Sequence, residues 1–443
     1  MSTESLARPL PSTLERLAAE SPPGHSLAQG FYCDDAVFAA DFEHVVSRKW
    51  IIAGHIDRVR RRGDYFLFRI GQESIIVVRS DESTINAFYN VCRHRGSLIC
   101  TEPQGRATRL TCPYHAWSYG LDGALLSARL MPVDFSRKDN GLHRCHVRVF
   151  HGFIFVNLAR HAPVDFDATF GELAPWLDFH GFANARIAHA QSYPTTANWK
   201  LVVENFVECY HCAPSHPEFC SMHPPEALIA FGAGPSSGPA EAVESYLPAH
   251  RAWEERAGAL GRPIGTLDDG PESSHLRLLL QRSIRGGYES ETEDGRPAAP
   301  LMGNRSGWDQ GRMYLSFSPF THLVATNDFA VLFQFTPRST LETDVDLCWL
   351  VDAAAAPGDA APADADTPSV DVPRMIWGWD RTTRQDKIIT ENNQSGILSS
   401  RYRPGRYSEH ERRVMTFQQW YRAQHGLASS SAARAPSRGE EQS

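Results

Sequence analysis

Four residues between positions 92 and 115 have the types and spacing of ligands for a metal cluster. Cys92 and His94 form a C-x-H pair, and Cys112 and His115 form a C-x-x-H pair after an interval of seventeen residues. A zinc finger normally pairs two cysteines at one end and two histidines at the other. Mixed pairs suit a two-iron cluster in which one iron binds both sulfurs and the other binds both imidazoles. Because imidazoles raise the reduction potential of such a cluster, the pattern predicts a one-electron carrier of moderate potential.

A second group of metal-ligating residue types lies between positions 204 and 216. Glu204, Glu208 and His211 recur at i, i+4 and i+7, so a predicted helix over residues 198–212 would carry them on one face. His216 follows, and we expect Pro214 to end or distort the helix so that His216 turns back to the same metal. Two histidines and one carboxylate form a facial triad that leaves positions on Fe(II) for O₂ and substrate. Periodicity alone leaves three acidic residues open as the carboxylate: Asp380, Asp386 and Glu391.

The sequence segments that contain the two groups of residues resemble those of one protein family. The segments C-R-H-R-G and C-P-Y-H-A-W resemble the Rieske domain of ring-hydroxylating oxygenase α subunits. They differ from the Rieske proteins of respiratory complexes, whose two extra cysteines are replaced here by Ser97 and Tyr114. The histidine pair resembles the family's mononuclear iron motif, E/D-x-x-H-x-x-x-x-H. By that resemblance the third ligand is the aspartate of a Q-D-x-x-x-x-E-x-x-Q stretch, which selects Asp386.

The resemblance extends over residues 38–421 and implies a fold, two cofactors and partners. The implied fold is α+β, with an all-β Rieske domain and a helix-grip (START-like) catalytic domain of antiparallel sheet and flanking helices. A [2Fe–2S] cluster and a mononuclear Fe(II) are the implied cofactors. Electrons would come from NAD(P)H through a separate flavin/[2Fe–2S] reductase. The implied assembly is a homotrimer in which Glu208 links His211 to His115 of the next subunit, while Trp117 shields the cluster.

The glutamate at position 208 also bears on the substrate. Most family members have aspartate there, whereas E-N-F-x-E-C-Y-H-C-x-x-x-H-P-E resembles a subgroup that oxidises carnitine, glycine betaine, stachydrine or choline. We therefore expect a small quaternary ammonium substrate, with N-demethylation or C–N cleavage. Aromatic faces bind such cations, and four aromatic residues are candidates: Phe335, Trp349, Trp377 and Trp379. Aromatic ring hydroxylation is the alternative, and a non-catalytic Rieske electron carrier is a distant one.

Composition excludes several other classes. The 443 residues carry a net charge of −8, which gives no basic surface for nucleic acid. No apolar stretch approaches the roughly 18 residues that span a membrane, and the first twenty residues do not resemble an export signal. These features predict a cytoplasmic protein. Its nine cysteines are then expected to be metal ligands or buried thiols, with Cys209, Cys212 and Cys220 among the thiols.

The pattern along the chain divides it into four parts. An N-terminal helix and arm (1–45, with a short helix at 12–20) precede the Rieske domain (46–160) and the catalytic domain (161–426). The last residues, 427–443, have the composition of a disordered tail. Within the catalytic domain we expect a loop-rich segment, three strands, an Ala/Pro/Asp-rich insertion and two closing helices, at residues 224–300; 313–317, 329–335 and 345–351; 352–373; and 374–398 and 409–424.

Overall fold

A computed structural model of the protein describes residues 11–223, 240–355 and 370–427. The predicted tail, most of the insertion and the first part of the loop-rich segment therefore lie outside the described residues. Three helices precede the first strand: α1 (Pro11–Ala19), α2 (Gly30–Cys33) and α3 (Asp35–His44). No helix in the described ranges combines the length and the apolar character needed to cross a membrane.

The first half of the chain contains three small antiparallel sheets. Their orders are β4-β3-β2-β5, β6-β7-β8 and β1-β10-β9. The turn between β2 and β3 uses Gly71 at φ +54°, where a Cβ would come within 2.5 Å of the Phe42 ring. The ten strands are β1 (Ile51–His55), β2 (Asp64–Ile70), β3 (Glu73–Arg79), β4 (Ile85–Tyr89), β5 (Gln104–Arg106), β6 (Leu110–Thr111), β7 (Ser118–Tyr119), β8 (Leu125–Ser127), β9 (His146–Phe150) and β10 (Phe153–Asn157).

The second half is built on one seven-stranded antiparallel sheet, with the order β11-β17-β16-β15-β14-β13-β12. One sheet face packs on the side chains of β1, β10 and the short helices α4 (Phe166–Phe170) and α5 (Ala174–His180). The strands are β11 (Ala185–Thr195), β12 (Leu267–Asp268), β13 (Leu278–Ser283), β14 (Gly311–Ser318), β15 (Thr321–Ala325), β16 (Ala330–Ser339) and β17 (Glu342–Asp352).

Helices cover the other face of this sheet. The long α10 (Val372–Ile397) contacts β11, α6 (Trp199–Phe206) and α8 (Pro217–Met222). The remaining helices are α7 (Cys212–Ser215), α9 (Ala240–Ala259) and α11 (Arg412–Gln424). A long helix held against an antiparallel sheet, next to small all-β sheets, confirms the predicted α+β fold.

Several predicted elements of the catalytic domain differ from the structure. The helix expected over 198–212 ends at Phe206, because the Glu208 carboxylate accepts the backbone N–H groups of Tyr210 and His211 and closes a turn instead. The segment expected to be loop-rich contains the twenty-residue α9. Four strands of the seven-stranded sheet were not predicted: β11, β12, β13 and β15. The two closing helices were predicted to within three residues.

Candidate active site

Two loops of the same form carry the four cluster-type residues. The Cys92 N–H donates to the Ser97 carbonyl at 2.9 Å, and the Cys112 N–H donates to the Trp117 carbonyl at 2.8 Å. Each cysteine therefore opens a loop that closes five residues later. Residues Gly96 and Ala116, four positions after each cysteine, have positive φ angles of +76° and +58°. The two loops thus share one backbone design.

Burial separates the two ligand types. The cysteine side chains are buried, whereas His94 is partly exposed and His115 is exposed. The two imidazoles converge, with their Nδ1 atoms 3.2 Å apart. The ring of Trp117 stacks on His94 at 4.9 Å between centroids and covers this pair from the interior. The chain thus places two sulfurs inside and two nitrogens at the surface.

These residues fit a [2Fe–2S] cluster. The donor set is two thiols and two imidazoles, which is the Rieske ligand set. Tyr119 accepts the Arg93 N–H at 3.1 Å, so its own hydroxyl can donate to the Cys92 sulfur 3.3 Å away. A hydrogen bond to a ligand sulfur is one of the levers that set a cluster's potential.

A second site brings together His211, His216 and Asp386. Their ligand atoms all lie within 4.8 Å of one another. The Nε2 atoms of His211 and His216 are 3.3 and 2.9 Å from the same Asp386 oxygen, Oδ1. The helix α6 ends before His211, and His216 lies between α7 and α8, so the chain turns twice to converge on α10.

The orientation of both imidazoles favours a bound cation. His216 donates from Nδ1 to the Gln385 amide oxygen at 2.8 Å, and Gln385 donates in turn to Glu218 at 3.0 Å. His211 Nδ1 contacts the Glu208 carboxylate in the same way. Both Nε2 lone pairs therefore face the Asp386 oxygen, and three acceptors can only meet around a proton or a metal ion. The donor set fits Fe(II).

The pKa shifts follow from this geometry. Burial alone lowers the pKa of His211, but its contacts with Asp386 and Glu208 outweigh burial and raise the pKa to about 10. Burial raises the pKa of Asp386, and the two histidines more than offset this, so that its pKa falls below the ordinary value. The site therefore concentrates negative charge where the two imidazoles can bind a cation.

The other acidic candidates lie elsewhere. Asp380 accepts from the Tyr193 hydroxyl at 2.6 Å, and Glu391 accepts the Thr196 N–H at 2.8 Å. The prediction that Glu204 shares a face with Glu208 and His211 is wrong. The helix α6 ends at Phe206, so Glu208 and His211 lie beyond it, and Glu204 accepts from Tyr32 and Gln418 at 3.0 Å.

The interpretation of Cys209 and Cys212 as thiols is also wrong. They form a disulfide whose Cα atoms are 4.9 Å apart, while Cys220 is a free thiol. The turn after α6 brings them together, since the Cys212 N–H donates to the Cys209 carbonyl at 3.2 Å. The thiols were predicted because the composition indicated a cytoplasmic protein, and that reasoning does not take a local turn of this kind into account.

A cavity opens beside the second site. His211, His216 and Asp386 line this cavity, and so do four aromatic side chains. Of the four aromatic residues proposed from the sequence, Trp379 lines this cavity and Phe335 lines a smaller neighbouring one. Trp349 is buried in the core, and Trp377 carries Arg381 over its ring. Three further aromatic residues line the cavity and were not predicted: Phe206, Phe219 and Tyr314.

Sequence reasoning also missed the groups that orient the histidines. Gln385 and Glu218 were quoted only as motif letters, although together they hold His216. Asn205 Nδ2 lies 3.4 Å from His211 Nε2. The signal that could have found Gln385 was its place directly before the proposed aspartate ligand, since metal-bound histidines usually donate their second N–H to a neighbouring acceptor.

Comparison with known proteins covers both halves of the chain. Residues 49–135 match the Rieske [2Fe-2S] domain, and residues 182–426 match the catalytic domain of the ring hydroxylating alpha subunit. The glycine betaine monooxygenase oxygenase subunit of Pseudomonas aeruginosa (strain UCBPP-PA14) is 35% identical over 402 residues, which cover 89% of this chain and 88% of that protein. The subunit of the same name from Chromohalobacter salexigens is 36% identical over 434 residues, which cover 95% and 91%.

Solved structures share the fold. The quaternary ammonium Rieske monooxygenase CntA, in complex with an inhibitor, aligns with a TM-score of 0.67 and 21% identity over 93% of this chain and 98% of that one. Naphthalene 1,2-dioxygenase from Rhodococcus sp., bound to indole, aligns with a TM-score of 0.65 and 18% identity over 96% and 100%. Together with the domain matches and the full-length relatives, these findings show that the chain belongs to the Rieske oxygenase family of ring-hydroxylating α subunits.

Proposed function

We propose that this chain is the terminal oxygenase of a system that oxidises a quaternary ammonium compound. The observation that carries the proposal is a two-histidine, one-aspartate site on the wall of an aromatic cavity, in a chain similar over nearly its whole length to glycine betaine monooxygenase oxygenase subunits. A permanent cation has no N–H group to donate, so it is bound by aromatic faces. Phe206, Phe219 and Trp379 supply such faces near the ligand residues.

The proposed reaction is hydroxylation of an N-methyl carbon. One atom of O₂ enters a C–H bond and the other is reduced to water with two electrons and two protons. The hydroxymethyl product loses formaldehyde and a proton, which leaves a tertiary amine. The electrons come from NAD(P)H through a separate reductase, for which we propose the flavin/[2Fe–2S] type. The relatives are oxygenase subunits, which supports a separate partner protein.

We assign the cofactor ligands by the geometry described above. Cys92, His94, Cys112 and His115 would hold the [2Fe–2S] cluster, within a Rieske domain of residues 46–160. A mononuclear iron would be held in the catalytic domain, residues 161–426, by three side chains: His211, His216 and Asp386. The iron supplies O₂ activation when bound, while Gln385 and Glu208 hold the two imidazoles in the orientation that presents Nε2 to it.

Glu208 is proposed as the link between subunits of a homotrimer. Its carboxylate contacts His211 Nδ1 and the Tyr210 N–H, and its side chain is only 10% exposed. His115 is exposed at the surface of the Rieske region, where a neighbouring subunit can reach it. A carboxylate oxygen accepts more than one hydrogen bond, so Glu208 can accept from His211 and from His115 of the next subunit.

The test is reductase-coupled turnover with a panel of quaternary amines and arenes, with formaldehyde, O₂ and NADH measured together. We expect formaldehyde in step with NADH oxidation from at least one quaternary amine. The matched variants are Asp386→Ala, which should abolish turnover while keeping the Rieske spectrum, and Asp380→Ala, which should keep iron and activity. Formation of an arene cis-diol with no reaction on any quaternary amine would contradict the proposal and favour ring hydroxylation.

A further inference from the structure

One histidine of the proposed iron site lies inside a turn that a disulfide closes. Cys209 and Cys212 are bonded to each other, with Cα atoms 4.9 Å apart, and His211 lies between them in the sequence. Glu208, which contacts the His211 imidazole, directly precedes the cross-linked residues. A cross-link over so short a stretch leaves the enclosed backbone few conformations. The disulfide therefore fixes the backbone from which the His211 side chain projects.

Cys212 also connects this turn to the second histidine. Its carbonyl accepts the His216 N–H at 2.8 Å, and its own N–H donates to the Cys209 carbonyl at 3.2 Å. The two imidazoles meet at Asp386, with Nε2 atoms 3.3 and 2.9 Å from the same carboxylate oxygen. A displacement of Cys212 would therefore change the positions of both histidines relative to Asp386.

The other contacts of the turn are few. The N–H groups of Tyr210 and His211 donate to the Glu208 carboxylate, the second of them at 3.4 Å. The Tyr210 side chain is exposed, and its ring stacks on His410 at 5.8 Å between centroids. Segments with few buried contacts and exposed backbone hydrogen bonds are those that open locally. Without the cross-link, the turn between Glu208 and Cys212 is therefore expected to open more often.

The disulfide is within reach of small reductants. Cys209 is half-buried, it lies next to the exposed Tyr210, and both bonded cysteines line the cavity beside the iron site. Disulfides are cleaved by thiols that can approach one of the two sulfurs. In the cytoplasm, which the composition predicts for this protein, disulfides are usually transient and have catalytic or redox-sensing roles. These observations favour a regulated cross-link over a permanent one.

We propose that the Cys209–Cys212 disulfide is a redox-sensitive cross-link of the iron site, which holds the His211 turn in its iron-binding arrangement when formed and releases it when reduced. The inference rests on the proposed function, because it takes His211 and His216 to be iron ligands. The reductant is a low-molecular-weight thiol. One thiol attacks the Cys209 sulfur, the S–S bond breaks, and Cys212 leaves as a thiol. A second thiol displaces Cys209 from the mixed disulfide, so that two thiols are oxidised to one disulfide and the two cysteines gain two electrons and two protons.

The expected size of the effect follows from the short loop. Closing a loop of four residues restricts the open chain by the equivalent of roughly 20-fold in an equilibrium constant. The hydrogen bonds to Glu208 retain part of this order after reduction. We therefore expect reduction to weaken Fe(II) binding about 3-fold to 20-fold. The Rieske absorption should not change, since the proposed cluster ligands lie in other loops.

The test compares oxidised and reduced holoenzyme from one preparation. Tris(2-carboxyethyl)phosphine is the reductant and is removed before the assay. Maleimide tagging with peptide mapping reports the state of Cys209 and Cys212, and iron retention is measured against a chelator with the Rieske absorption as internal standard. We expect the oxidised protein to be untagged at both positions and the reduced protein to be tagged at both and to bind iron more weakly. Oxidised glutathione should restore the first state.

The double variant Cys209→Ser/Cys212→Ser lacks the cross-link at nearly constant side-chain volume. It should bind iron as weakly as reduced wild type and should not respond to the phosphine. Cys220→Ser is the matched control, because the Cys220 sulfur is a free thiol only 3.5 Å from the Cys212 carbonyl but outside the cross-link. It should respond to the phosphine as wild type does. An equal response in the double variant would trace the effect to the reagent and overturn the proposal.

The outcomes separate this inference from the proposed function. Equal iron binding by oxidised and reduced wild type, with tagging that confirms both states, would overturn the redox-sensitive cross-link and leave the proposed function standing. Free thiols at Cys209 and Cys212 after treatment with oxidised glutathione would also overturn it. Both results come from wild type alone, so they decide the matter even if the double variant does not fold. Unchanged iron content in His211→Ala would overturn the ligand assignment of the proposed function and this inference with it.

Discussion

The amide that orients His216 gives the sharpest test of the mononuclear site. His216 is 1% exposed, and its Nδ1 proton has Gln385 Oε1 as its partner at 2.8 Å. The change Gln385→Met keeps the length of the side chain and removes the acceptor. In the metal-bound state of the variant, the His216 ring cannot turn, because Nε2 must stay on the metal. The buried Nδ1–H of His216 is then left without a hydrogen-bond acceptor.

The size of the effect follows from this loss. An unsatisfied buried donor costs about 1–3 kcal/mol. Since each 1.4 kcal/mol is about a factor of ten in binding, Gln385→Met should weaken Fe(II) about 5-fold to 150-fold. The metal-free ring can rotate and find another partner, so this cost falls on the bound state. The range agrees with the roughly 10- to 100-fold effect of changing outer partners of metal ligands in other proteins.

The assay is iron retention against a chelator of known affinity, with the Rieske absorption as an internal standard. Gln394→Met is the matched control on the same helix. Gln394 is also buried and accepts the Asn198 N–H at 2.9 Å, so its replacement has a comparable cost in stability but should leave iron affinity unchanged. Wild-type iron affinity in Gln385→Met, or an equal loss in Gln394→Met, would refute the reasoning.

Three further predictions concern electron transfer and stability. Glu208→Gln should keep the Rieske spectrum and the iron, yet its turnover should fall about tenfold to a hundredfold. Rapid mixing of the reduced variant with O₂ should show slow reoxidation of the cluster, and a wild-type rate of reoxidation would make Glu208 a packing residue. Tyr119→Phe removes a hydrogen bond to the Cys92 sulfur and should lower the cluster potential by roughly 20–60 mV in a redox titration, the equivalent of about 0.5–1.5 kcal/mol; an unchanged potential would exclude that bond. The pKa of Glu291, about 2 when folded and 4.5 in its ordinary range, is depressed, so its contribution to the free energy of unfolding is present above pH 4.5 and is lost as the pH falls towards 2. The free energy of unfolding of Glu291→Gln, measured in urea, should fall less steeply between these pH values than that of wild type. An equally steep fall in both proteins would contradict the ion pair of Glu291 with Arg312.

The proposed cluster ligands and the proposed histidine ligands could be selected from the sequence because they lie in short segments. Two loops of one design and one broken helix bring them together, so spacing alone carries the information. Asp386 is different, since it lies 170 residues after His216. Only the family resemblance selected it, because periodicity cannot say which turn of α10 faces a distant helix.

Other features depended on tertiary structure. The end of α6 is determined by the Glu208 carboxylate, which captures backbone N–H groups that a longer helix would have used. Arg282 on β13 lies directly opposite Arg312 on β14, and a long loop separates the two strands in the sequence. No local sequence pattern predicts this register. The aromatic residues in strands could not be divided into core residues and cavity residues from the sequence, which is why Trp349 was wrongly included and Tyr314 was missed.

The central claim is tested most directly by following the methyl carbon itself. Glycine betaine with a fully deuterated trimethylammonium group is incubated with the iron-loaded protein, its reductase, NADH and O₂. The formaldehyde is trapped, and its mass is measured by mass spectrometry. The proposed chemistry predicts doubly deuterated formaldehyde, formed one for one with NADH oxidised and with dimethylglycine released. NADH and O₂ consumed without labelled formaldehyde, while the betaine remains intact, would contradict it.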